Sequence, residues 1–139
     1  MRVYFDSSAL VKRVLDEPER EDFERTFRAL IAEGAEFASS TLAWVEVSRA
    51  IRVRLEAEAP RRIIDLIDTA LSGIEEFPIS AHVIDIAQRL GPVTLRSLDA
   101  IHLTSATLLG VDLICGYDQR LLVAAEEYGF RTLSPGLVD

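Results

Sequence analysis

Four acidic residues stand where their side chains suit chemistry more than solubility: Asp6, Glu46, Asp99 and Asp118. Asp6 ends the β-prone run Arg2-Val3-Tyr4-Phe5, and Asp118 follows the apolar run Val111–Cys115 after only Gly116 and Tyr117. Taken singly, each also has a structural use, Asp6 in orienting a helix start and Asp118 as an N-cap beside a favourable helix dipole. Glu46 is flanked four before, four after and seven after by Leu42, Ala50 and Val53, and the other side of its helix carries Trp44, Val47, Ile51 and Leu55. A helix apolar on both sides is normally buried, so this carboxylate is expected to be paired, protonated or bound to a cation. Arg49, three residues on, is the local partner. Asp99 falls in the first turn of a helix begun by Ser97, where the macrodipole favours an anion, and the neighbouring Arg96 offers a positive charge.

The joint pattern says more than any member. A strand end, an apolar helix, a helix start and a second strand end would each deliver one acid to the same edge of a sheet. Four like charges within a few ångströms repel, so some protonate or a cation neutralises them. Oxygen-only ligation suits magnesium or manganese, whereas zinc prefers nitrogen and sulfur. An ion held this way accepts phosphate oxygens and can bring a hydroxide-like nucleophile in line with a phosphodiester.

The rest of the chain must position these groups. Ser7 and Ser8 offer caps for a helix from Ala9 to about Leu15, and Pro18 opens a second that Gly34 closes. Phe23, Phe27, Leu30 and Ile31 form an apolar stripe on that second helix. Glu36–Ser39 reads as a strand, Ser40 or Thr41 caps a helix to about Glu58, and Pro60 starts another that Gly73 ends. Ile74–Pro78 is a further strand. Ser80 caps a helix to about Leu90, Ser97 one that ends at Gly110, and Asp118 one that ends at Gly129. Phe130–Leu133 closes as a strand. Strands alternating with helices predict an α/β sandwich of about five parallel strands, with ligands beyond the strands' C-terminal ends.

Composition narrows the function classes. The 139 residues, 49% of them apolar, suffice for one core, and 27% charged residues argue against wholesale disorder. A formal charge of −8 argues against a basic nucleic-acid coat or an anionic-membrane binder. Cys115 is the only cysteine, which excludes an intramolecular disulfide and a four-cysteine zinc site. No apolar run reaches the roughly 18 residues of a spanning helix, and MRVYFDSS lacks a signal peptide's apolar stretch. A soluble, cytoplasmic protein is expected. His102, three residues after Asp99, either touches the site or serves structure; His82 carries no specific signal, Cys115 reads as packing, and Tyr117 either stacks on a base or packs.

The segments Tyr4-Phe5-Asp6-Ser7-Ser8-Ala9-Leu10-Val11-Lys12, Glu46 within its helix, Arg96-Ser97-Leu98-Asp99-Ala100-Ile101-His102, Tyr117-Asp118 with Leu121 and Ala124-Ala125, and Leu133-Ser134-Pro135-Gly136 together resemble the PIN-domain family. Within it they are similar to the VapC-type ribonuclease toxins of toxin–antitoxin modules. The resemblance covers nearly the whole chain and implies a PIN-like three-layer α/β/α sandwich forming a single domain over residues 1–139. It implies endonucleolytic cleavage of RNA that leaves a 5′-phosphate and a 3′-hydroxyl. Asp6, Glu46, Asp99 and Asp118 match the family's acidic quartet that holds Mg²⁺ or Mn²⁺, and Ser8 matches a small hydroxyl residue that orients a carboxylate or bound water. It further implies a homodimer silenced by a cognate antitoxin, with the Phe23–Phe27–Leu30–Ile31 stripe either lining the antitoxin's groove or simply packing in the core. One departure stands out: Gly116 replaces the usual Thr or Ser two positions before the last acid, removing a hydroxyl near Asp118. Arg49, Arg52, Arg54, Arg61 and Arg62 either guide phosphates or form a solvated face.

Two other classes compete. A phospho-receiver domain also places acids at strand ends, but it needs a late lysine, and Lys12 is the only lysine here. A phosphatase with a second Asp two residues after its nucleophile fails at Ser8. A non-catalytic binding module on the same fold would be favoured by loss of a quartet acid, and none is lost. A stand-alone RNA-processing nuclease is the alternative within the family.

Overall fold

The computed structural model describes residues 1–137. Five strands, β1 (Arg2–Phe5), β2 (Glu36–Ser40), β3 (Glu75–Phe77), β4 (Leu113–Cys115) and β5 (Arg131–Leu133), make one sheet in the order β3-β2-β1-β4-β5. Every neighbouring pair is parallel, with Val3 opposite both Phe37 and Leu113. The helices are α1 (Ser7–Leu10), continued by a 3-10 turn at Val11–Arg13, then α2 (Arg20–Ala32), α3 (Thr41–Arg54), α4 (Pro60–Leu71), α5 (Ala81–Ala87), α6 (Ser97–Leu109) and α7 (Gln119–Glu127).

Side-chain alternation along β1 sorts the core into two halves. Val3 and Phe5 face a cluster formed with Leu10, Phe23, Phe27, Val47, Ile51, Ile63 and Ile67, so α1 to α4 cover that side. Tyr4 faces the other way, into a cluster with Ile114 of β4, Leu103 and Ala106 of α6, and Leu121 and Leu122 of α7. Phe5 stacks on Phe27 and Phe37 with ring centroids 5.4 Å apart in each case. This is the three-layer α/β/α arrangement the sequence predicts. From β1 the chain runs outward through β2 and β3, then crosses to β4 and β5. The reversal lies between β1 and β4, and a crevice beyond the strand ends at such a point is where α/β sheets bind ligands.

Several boundaries differ from the sequence-based expectation. The first helix turns into 3-10 geometry after Leu10 rather than running to Leu15, and its cap is Asp6, not Ser7 or Ser8. The second begins at Arg20, two residues after Pro18. α3 stops at Arg54 rather than Glu58, because Arg52, Val53, Arg54, Glu56 and Glu58 are all exposed and no apolar face extends it. α5 ends at Ala87, tightened by the i to i+3 bonds Arg89 N–H to Ile86 O and Leu90 N–H to Ala87 O. Ser97 is the first residue of α6 rather than its cap, which falls on Arg96. Three members of the Phe23–Phe27–Leu30–Ile31 stripe are buried in the core and only Ile31 is exposed, so the stripe packs.

Lys12 is buried under the ring of Tyr117, 4.3 Å from its centroid, and pairs with Glu17 at 3.2 Å and Glu19 at 3.0 Å. The contact ties the first helical segment to the loop before α2.

Candidate active site at the topological switch

Asp6 leaves β1 at its C-terminal end, is only 3% exposed, and caps α1. Its Oδ1 accepts hydrogen bonds from Ser8 Oγ at 2.5 Å and from the Ala9 N–H at 3.1 Å. Its Oδ2 is buried with no partner. Capping and chemistry are therefore not rival roles here: one oxygen caps while the other is free. Burial pushes the carboxyl above its usual range, opposed by the Ser8 bond and by nearby His102, with Asp118 adding to the rise.

Ser8 has a second bond, accepting the Tyr117 N–H at 2.8 Å. It thereby joins Asp6 to the chain just past β4. Asp118, at the start of α7, is exposed and accepts the Arg120 and Leu121 N–H groups on Oδ1 at 3.1 and 3.4 Å. Asp99, in the first turn of α6, is 6% exposed and also has a buried, unpartnered Oδ2. Its carboxyl is raised first by burial and then by the negative charge of Asp118. The Arg96 backbone offers it a hydrogen bond and Arg120 a more distant positive charge, so Arg96 neutralises it through no side-chain ion pair.

Gly116 has a definite structural reason. A Cβ on it would overlap the Asp6 carboxylate, 2.5 Å from Oδ1 and closer still to Cγ and Oδ2. The space expected to hold a hydroxyl is occupied by Asp6 itself. A hydroxyl does serve this strand end from elsewhere, since Ser134 Oγ donates to the Gly116 carbonyl at 2.6 Å.

Glu46 is placed differently from the expectation in two respects. Its helix is not dry on all sides: Ala43, Val47 and Ile51 are buried, but Val45 and Val53 are 58% and 66% exposed. The Glu46 side chain is half-buried, and its partner is His102 rather than Arg49, with His102 Nε2 2.6 Å from Glu46 Oε1. Tyr4 OH lies 2.6 Å from His102 Nδ1 on the ring's far side, and burial drives the phenol pKa up. Tyr4 and His102 are the site-adjacent residues that sequence reasoning undervalued. Only the three-residue spacing from Asp99 pointed to His102. Among the described residues, no three His, Cys, Asp or Glu side chains are grouped so as to hold a metal ion as they stand. Cys115 is fully buried in the core and its thiol is pushed up by burial, in keeping with a packing role.

The PIN domain profile matches residues 3–127, a span that runs from β1 through α7 and contains all four acids. The chain belongs to the PIN-domain family. It is 38% identical over 138 residues to Ribonuclease VapC47 of Mycobacterium tuberculosis, covering 98% of each chain. It is 39% identical over 137 residues to Ribonuclease VapC46 of the same species, covering 96% of this chain and 97% of that one. In three dimensions the PIN fold superposes on VapBC2 from Rickettsia felis, solved with a DNA fragment from its promoter. The TM-score is 0.72 at 13% identity, over 97% of this chain and 99% of that one. It also superposes on M. tuberculosis VapC20, described as a sarcin-ricin loop cleaving toxin, with a TM-score of 0.71 at 14% identity, over 96% and 99% of the two chains.

Proposed function

We propose that this PIN-domain protein is a Mg²⁺- or Mn²⁺-dependent endoribonuclease, the toxin of a VapBC-type toxin–antitoxin module, acting at Asp6, Glu46, Asp99 and Asp118. The observation that carries the reading is the pair of buried carboxylate oxygens without partners, Asp6 Oδ2 and Asp99 Oδ2, with Asp118 acting electrostatically on both residues. Buried, unpartnered carboxylates are costly alone, and a hard dication resolves both the unmet hydrogen bonding and the repulsion that each feels from Asp118. The donor set is all oxygen, which fits magnesium or manganese.

In this reading Asp6, Asp99 and Asp118 hold the ion, with Glu46 completing the set from α3. Ser8 fixes Asp6 by donating to Oδ1, which keeps Oδ2 turned away from the cap. Bound there, a dication would supply Lewis acidity for activating water and for stabilising the leaving oxygen. The exposed Arg49, Arg52 and Arg61 guide the RNA backbone, while Arg54 is engaged by Glu17 and Arg62 by Glu58. Names of the relatives support the RNA substrate and a cognate antitoxin. The reading takes the protein as a homodimer, as the resemblance to VapC-type proteins implies. One sheet shared by both core clusters supports a single domain over residues 1–139. No helix among the described residues is long and apolar enough to cross a membrane, and the reading places the protein in the cytoplasm.

The test is cleavage of total RNA with Mn²⁺ by the parent, Asp6→Asn and Asp99→Asn, each checked for folding by circular dichroism. Cleavage by the parent that chelator stops and Mn²⁺ restores, with both variants folded and inactive, is expected. Full activity of either variant in chelator overturns the assignment.

A further inference from the structure

Glu46 on α3 is held by an imidazole whose own second nitrogen is engaged. His102 Nε2 lies 2.6 Å from Glu46 Oε1, and Nδ1 lies 2.6 Å from the Tyr4 hydroxyl. That hydroxyl accepts the Ser40 N–H at 3.2 Å. A phenol oxygen that accepts the Ser40 N–H can still donate its own proton to Nδ1, and a neutral ring accepting there carries its proton on Nε2, toward Glu46. Neither Tyr4 nor His102 has room to turn, at 0% and 3% exposure, and the two rings meet edge-on at 78°.

The three members come from the elements that carry three of the four acids. Tyr4 is two residues before Asp6 on β1, Ser40 caps the helix bearing Glu46, and His102 is one turn after Asp99 on α6. Oε2 of Glu46 accepts no hydrogen bond from any described residue, so the clamp engages one oxygen and leaves the other available. We propose that Tyr4 and His102 are a positioning pair for Glu46, fixing one carboxylate oxygen through an Nε2–H donor so that the other is presented to a divalent cation. The proposal rests on the endoribonuclease reading for Glu46's purpose. Such outer partners commonly change metal affinity by about 10- to 100-fold when removed.

The experiment has two arms on the full chain. In the metal-free protein, long-range proton–nitrogen NMR of the imidazoles, with His82→Gln to assign the two histidines, reads the tautomer of His102. A single Nε2–H form is expected in the parent, and its loss in Tyr4→Phe. Calorimetric Mn²⁺ titration then compares Tyr4→Phe, His102→Ala, His102→Gln and Glu46→Gln. Tyr4→Phe and His102→Ala should bind about tenfold more weakly, and His102→Gln, whose amide can still donate to Glu46, should recover most of the loss. Thermal melts separate this from unfolding, and should His102→Ala fail to fold, Tyr4→Phe carries the comparison. An Nδ1–H form in the parent, or parental Mn²⁺ affinity in Tyr4→Phe, overturns the positioning pair. Weak binding by Glu46→Gln beside parental binding by Tyr4→Phe overturns the pair alone, whereas parental binding by Glu46→Gln removes Glu46 from the ligand set and the pair's purpose with it.

Discussion

Replacing Gly116 with alanine sets a Cβ into the space filled by the Asp6 carboxylate, and the structure offers only two ways to relieve the overlap. In the first, Asp6 swings away and gives up its bonds from Ser8 Oγ and the Ala9 N–H. Bonds to a charged acceptor contribute about 1.5–3 kcal/mol each, so the loss is about 3 kcal/mol at the low end, reduced by the release of a buried carboxylate into water. In the second, Asp6 stays and the end of β4 moves, although the Gly116 N–H is bonded to Leu133 O and the Asp6 N–H to Cys115 O. Forced overpacking of that kind costs about 1–3 kcal/mol. Both routes converge on roughly 2 kcal/mol of destabilisation. With a urea slope of about 2 kcal/mol per molar for a chain of this size, the unfolding midpoint of the metal-free protein should fall by about 1 M. Mn²⁺ binding should weaken in the same variant, because the displaced group is a proposed ligand. Gly116→Thr, which supplies the hydroxyl found elsewhere in the family, should fare no better. A Gly116→Ala protein with the parental midpoint and parental Mn²⁺ affinity refutes the reasoning.

Asp99→Asn should stabilise the metal-free protein at neutral pH. Burial and Asp118 raise this carboxyl in the folded state, so its stability contribution is full below the unfolded value near 3.9 and is lost as pH rises through the folded value. Melts of parent and variant in chelator should therefore diverge at pH 7 and converge near about pH 3; the difference removes carboxylates shifted the other way, such as Glu19 held down by Lys12. Added Mn²⁺ should raise the melting temperature of the parent and leave Asp99→Asn nearly unmoved, read by the same melts. RNA binding measured by anisotropy should weaken as salt rises, because a chain of net charge −8 relies on local arginines and bound cations; salt-independent affinity would count against the proposed backbone contacts.

The strand-end acids were legible in the sequence because local rules place them. An apolar run followed by an aspartate and a helix is a strand, a cap and a helix start; Asp6 follows its run at once and Asp118 follows after Gly116 and Tyr117. The parallel sheet followed from alternation of strands and helices, and the burial of Phe23, Phe27 and Leu30 from their spacing. What the sequence hid was contact at long range. Glu46 and His102 are 56 residues apart, whereas a helical neighbour such as Arg49 is visible from spacing alone, so local reasoning paired the wrong groups. Gly116 misled for a related reason: a missing hydroxyl reads as a loss until the carboxylate from another strand is seen in its place. Helix ends were overrun at Glu58 and Leu90 because capping signals mark where a helix is permitted to stop, while the exposed run Glu56–Glu58 and a tightened last turn in α5 stop it sooner.

The burial of Lys12 has a practical consequence at the bench. It is the chain's single lysine, and its ammonium is enclosed by Glu17, Glu19 and the Tyr117 ring. Amine-directed reagents therefore meet no accessible lysine side chain in the native fold. Lys12 will become reactive only as the surrounding packing opens, so the rate of lysine labelling reports local opening around the first helical segment and Tyr117.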